Sequence, residues 1–144
     1  MAAGGLSQHT LKSLIRRIHA SNVVILLDTC KSGRFSETFG TRGFVRKKAL
    51  SRFGQTTGTY MVAATTSQQL ALESAGLGHG VFTHAVLEAL EGKGDLDHDG
   101  EVTVRGLVTF VEKEVARITL EKFDVEQFPV TNGNGRNFPL SVTR

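Results

Sequence analysis

Residues Val23, Val24, Ile25, Leu26 and Leu27 form a short, unbroken apolar run. That pattern predicts a strand buried on both faces. It stops at Asp28-Thr29-Cys30-Lys31-Ser32-Gly33, a polar turn carrying a glycine. In open α/β sheets, ligands bind just beyond the carboxyl ends of the strands. Cys30 is the one cysteine of the chain, and a thiol delivered there beside a carboxylate is a candidate nucleophile. The competing reading is a buried structural thiol, since free cysteine is among the most buried residue types.

The rest of the pattern is that of alternating helices and strands. A helix is expected over Ser7–Ala20, with Leu11, Leu14, Ile15 and Ile18 at helical spacing, then a strand over Asn22–Leu27. A basic connection from Arg34 to Thr59 leads to a second strand, Tyr60–Ala64. A polar loop, helix Val81–Leu90, an acidic turn and helix Thr103–Ile118 follow. A glycine- and asparagine-rich tail then precedes a last strand, Phe138–Val142. Strands alternating with helices predict an α/β domain with a mostly parallel sheet flanked by helices.

Composition narrows the function classes. The chain has 144 residues, enough for one domain, with 40% hydrophobic and 22% charged residues. No apolar run approaches the ~20 residues of a membrane span, and the amino terminus lacks a secretory pattern, so no membrane partner is expected. A single cysteine cannot form an internal disulfide, which suits a reducing cytoplasm. The net charge of +3 is too small to point to nucleic acid.

The segment Val24 to Gly33 resembles the strand and nucleophile turn of the caspase-like (metacaspase-type) cysteine peptidases, whose usual form is Asp-x-Cys-His-Ser-Gly. Val62-Ala63-Ala64-Thr65-Thr66-Ser67-Gln68-Gln69-Leu70-Ala71-Leu72-Glu73 resembles the family's next core strand and loop. Gly78-His79-Gly80-Val81-Phe82-Thr83-His84-Ala85 and the residues to Leu90 resemble its following helix. Gln127-Phe128-Pro129-Val130 and Asn137-Phe138-Pro139-Leu140 are similar to the closing stretch of bacterial members. The blocks occur in family order and cover the C-terminal part of a caspase-like domain, so the resemblance implies that the first strands of the sheet are missing from this chain. It divides the chain into the end of a large-subunit region (1–34), a basic linker (35–59) and a small-subunit region (60–144).

What the resemblance implies for chemistry is peptide-bond hydrolysis of a protein or peptide substrate through an acyl-enzyme on Cys30. Asp28 would help form an acidic pocket for arginine or lysine, a charge-assisted pairing. The alternative is a carboxylate that caps its own turn. The backbone N–H of Cys30 and Gly33 would supply the oxyanion donors. Lys31 departs from the usual histidine. An ammonium there would favour the thiolate, although a solvated turn residue is the simpler reading.

A thiolate also needs a base, and in caspases the histidine lies roughly 50 residues upstream of the cysteine. His9 and His19 fall on the first helix and follow no strand. His79 sits between glycines at a helix start, a position read as a loop residue. His84 falls on the helix and His98 in the acidic turn. The catalytic histidine is therefore expected from an N-terminal half of the domain, and the chain alone is expected to be inactive or weak. The alternative function is a catalytically dead caspase fold serving as an interaction module.

Two further features stand outside that constellation. Arg34, Arg42, Arg46, Lys47, Lys48 and Arg52 make the connection from Arg34 to Thr59 basic, which reads as a solvated face, a self-cleavage segment or a patch for an anionic partner. Asp95, Asp97, Asp99 and Gly100 match the opening of an EF-hand loop, but position 12 is Gly106 instead of glutamate. The expectation is no resident cofactor, with weak Ca²⁺ binding at most at Asp95, Asp97 and Asp99.

Overall fold

A computed structural model describes residues 8–28, 59–64, 80–132 and 135–143. Its elements are α1 (Gln8–Arg16), β1 (Val24–Leu27), β2 (Tyr60–Ala63), α2 (Val81–Glu88), a π-helical turn (Ala89–Lys93), β3 (Glu101–Thr103), α3 (Val104–Phe123), β4 (Val130–Asn132) and β5 (Pro139–Val142). The basic linker lies outside the described residues, apart from Thr59.

The organising element is β2. It pairs in parallel with β1, with Val24 opposite Tyr60 and Leu27 opposite Ala63. On its other edge it pairs antiparallel with β4, with Val62 opposite Thr131. Successive side chains of a strand point to opposite faces, and here both faces are covered. Met61 and Ala63 pack with Leu11 and Ile15 of α1. Val62 packs with Phe82 and Ala85 of α2 and with Leu107, Val111 and Val115 of α3. All four β2 residues are buried. The result is a three-layer arrangement with α1 on one face and α2 and α3 on the other.

The double-sided burial expected of the first apolar run thus belongs to β2 instead. Among the described residues β1 is bonded along one edge only, and Leu26 is 40% exposed. An apolar run reports which side chains seek cover. It does not report whether neighbours are there to supply it.

β3 and β5 form a separate two-stranded antiparallel sheet. The expected last strand is present, but it joins β3 and not β2, so the main sheet of described strands has one parallel and one antiparallel pairing. The register slips between Val102 and Thr103, where the partner Pro139 has no N–H to donate. The tail is stitched further by Val104 N–H to Phe138 O at 3.0 Å and by Ser141 Oγ to Leu90 O at 2.8 Å.

α3 begins where the Thr103 hydroxyl accepts the Gly106 N–H at 3.2 Å, an N-cap. It runs five residues past the expected end at Ile118. Buried Thr119 satisfies its hydroxyl by donating to Ala116 O at 3.2 Å and accepting from Gln127 N–H at 3.1 Å. Arg117 holds Glu121 one turn on at 2.7 Å and Glu114 one turn back through Nε at 2.9 Å. The helix ends at Asp124 in the left-handed conformation. Between α2 and β3 the chain turns sharply at Gly92, whose φ of 125° suits glycine.

Gly106 is fixed by a close approach: a Cβ there would lie 2.2 Å from the carbonyl oxygen of Gly94. Glycine to alanine in an open helix normally stabilises by about 1 kcal/mol. Here Gly106→Ala is expected to destabilise instead, while Leu107→Ala, emptying a fully buried site, costs about 2–5 kcal/mol. Urea unfolding of both variants checks the two signs.

The hydrogen bond from Arg117 holds the Glu114 carboxyl below its ordinary value of 4.5. A lowered carboxylate contributes stability that is present above the ordinary value and lost as pH falls through the lower one. Arg117→Met should therefore lower Tm at neutral pH, and the gap to the parent should close as acidification protonates Glu114 below the ordinary carboxylate range. Melting curves across pH test this.

Candidate functional site at the carboxyl ends of the parallel strands

Asp28 is the first residue beyond β1, and Ala64 the first beyond β2. The ladder carries past both, with Ala64 N–H donating to Leu27 O at 2.8 Å. This is the sheet edge at which α/β folds receive ligands. Gly80, which precedes α2, comes back to the same edge: a Cβ placed on it would lie 3.0 Å from Asp28 Oδ2. Three residues on, the Thr83 hydroxyl donates a hydrogen bond to the same Asp28 oxygen. One carboxylate is thus held between the end of β1 and the first turn of α2, across 55 residues of sequence. Asp28 itself is solvent-exposed.

α2 starts here because Gly80 has extended backbone angles and the helix follows at once with Val81 and Phe82, both buried in the core. Gly80 offers no side-chain cap. The polar contact at this helix start comes from Thr83 and β1. Sequence reasoning singled out Asp28 and read the glycines around His79 as a helix opening, but it did not find Thr83. A threonine in the first turn of a helix gives no signal of a partner so far away in sequence.

The other sequence candidates divide plainly. Cys30, Gly33 and Lys31, together with His79, lie outside the described residues. His9 and His19 are exposed, on α1 and shortly after it. His84 has its Nε2 3.8 Å from Glu88, and Glu88 also accepts from Lys93. His98 sits exposed in the acidic turn with φ of 57°.

Asp95, Asp97 and Asp99 do come together, with one oxygen of each within 4.8 Å of the others. Asp95 spends its carboxylate on the loop's own backbone, accepting Asp99 N–H at 3.2 Å and Gly100 N–H at 3.1 Å. Asp99 accepts Glu101 N–H at 2.9 Å. The twelfth position is closed to a glutamate, because any side chain on Gly106 would collide with Gly94 O. Asp95 and Asp99 set the turn into β3, and glycine at the twelfth position withholds the glutamate of an EF-hand loop.

Among the described residues no helix is long and apolar enough to cross a membrane. Comparison with curated proteins and with solved structures gives no match. The sequence profile of the caspase domain, in contrast, matches residues 2–138. With nearly its whole length matched, and a mixed α/β fold of helices and sheets to accompany it, the chain belongs to the caspase domain family, a caspase-like cysteine peptidase by resemblance.

Proposed function

We propose that this chain is the nucleophile-bearing part of a metacaspase-type cysteine endopeptidase of bacterial type that cleaves after arginine or lysine. The observation that supports it is Asp28, a carboxylate held at the ligand-receiving edge of the sheet by the first turn of α2. Two residues of chain span at most about 7 Å, so a carboxylate at Asp28 is within a side chain's reach of chemistry at Cys30. An arginine or lysine side chain reaching into this edge would form a charge-assisted pair with Asp28.

In this reading the Cys30 thiolate attacks the scissile carbonyl carbon, and the developing oxyanion is met by the N–H groups of Cys30 and Gly33. A histidine takes the thiol proton and delivers it to the leaving amine. Water then attacks the thioester and releases the acid and the free thiol. The histidine comes from an N-terminal half of the domain, whose strands pair along the edge of β1 that has no partner among the described residues. The exposed Leu26 and that edge fit such an addition. The lone cysteine is consistent with work in a reducing cytoplasm.

Two outcomes are expected. The purified chain alone should hydrolyse basic peptides about 10²–10⁴-fold more slowly than the chain joined to the histidine-bearing half, the usual worth of a general base. Rapid turnover by the chain alone would bring His79 or His84 in as the base. No turnover by the joined protein would favour the dead interaction module.

The second outcome concerns selectivity. Cys30 should be alkylated faster by a peptidyl acyloxymethyl ketone bearing arginine next to the reactive group than by its norleucine counterpart, as read by intact mass. Asp28→Ala should reduce that ratio by roughly thirtyfold, about 2 kcal/mol, the lower end for truncating one partner of a charge pair.

A further inference from the structure

Thr83 lies on α2 and has no charge to offer a substrate, yet its hydroxyl is spent on Asp28 Oδ2. We infer that Thr83 is a positioning residue for basic-side-chain selectivity: it fixes the rotamer of the Asp28 carboxylate at the sheet edge, with Gly80 leaving the space in which that rotamer fits. The inference deepens the reading of Asp28 given above and rests on it.

The physical argument has two parts. An exposed aspartate normally samples several rotamers, and a ligand that pairs with it must immobilise it at some cost in free energy. A hydroxyl donor on a helix that is itself anchored in the core by Phe82, Ala85 and Val86 removes that cost beforehand. Hydrogen bonds to charged groups are the stronger ones. The orientation they impose also decides where a guanidinium fork meets the carboxylate.

Gly80 supplies the second part. Its φ of −59° and ψ of 149° suit any residue, so backbone conformation does not require glycine here. Space is what is tight: the Cβ of an alanine would stand 3.0 Å from Asp28 Oδ2, so the carboxylate would have to give by a few tenths of an ångström. Gly80→Ala therefore presses on the carboxylate without straining the chain.

The experiment measures second-order labelling of Cys30 in the full chain by the arginyl and norleucyl acyloxymethyl ketones, with Asp28→Ala, Thr83→Val, Thr83→Ser and Gly80→Ala in parallel. Thr83→Val should lower the arginine-to-norleucine ratio about tenfold, the loss of one hydrogen bond to a charged group. The norleucyl rate should stay near the parent's, which a general structural defect would not permit. Thr83→Ser, keeping the hydroxyl, should hold the ratio near the parent value, and Gly80→Ala should lower it.

If Asp28→Ala collapses the ratio while Thr83→Val leaves it unchanged, the positioning role is overturned and the Asp28 pocket stands. If Thr83→Val slows both probes equally, the residue serves folding alone and the inference again fails. If Asp28→Ala itself leaves the ratio unchanged, the basic-residue reading is wrong and this inference falls with it.

Discussion

Everything in this fold leans on β2 being covered from both sides. Its four residues are buried, and their alternation sends Met61 and Ala63 to α1 and Val62 to α2 and α3. A parallel pair needs its faces covered by helices, because its strands are apolar on both sides. Once β2 is clamped in this way, its register with β1 follows, and so does the direction in which both strands point. Their carboxyl ends must emerge together. The chain that re-enters at Gly80 must then lay α2 across the face with its amino end at that same edge. The meeting of Asp28 with Thr83 is a consequence of this packing.

The parts of this arrangement that were legible in the sequence are those whose signal is local. The apolar run before Asp28 and the run around Val62 read as strands, and Val81 onward and Val104 onward read as helices. α3 outlasts its expected end because Thr119 finds a carbonyl and Gln127 N–H for its hydroxyl, a tertiary provision that helix propensity does not encode. β3 and β4 escaped detection because each has three residues and owes its extended form to a partner distant in sequence. β5 is a strand where one was expected, and its partner is β3.

At the candidate site the division is similar. Asp28 stood out in the sequence because a carboxylate ends an apolar run two residues before the lone cysteine, with a turn cap as the competing reading. Thr83 was not legible, since its partner is 55 residues away. The acidic turn carries a motif whose shortfall was itself legible, since position 12 is Gly106. Asp95, Asp97 and Asp99 converge as an EF-hand opening does, but Asp95 and Asp99 bond to the loop backbone and Gly106 is pinned against Gly94. Spacing brought the carboxylates together, and the packing of α3 against the π-helical turn denied them the remaining ligand.

The chain belongs to the caspase domain family, and among its described residues a carboxylate and the start of a helix meet at one edge of the sheet. The proposed choice of substrate rests on Asp28, whose carboxylate is held at that edge by the Thr83 hydroxyl. A crystal structure of the chain with an arginyl acyloxymethyl ketone bonded to Cys30 tests that claim most directly. The account predicts the guanidinium paired with the Asp28 carboxylate at roughly 2.7–2.9 Å, with the Thr83 hydroxyl still donating to the same carboxylate. An arginine side chain directed away from Asp28, or a carboxylate turned from Thr83 to bind elsewhere, would contradict it.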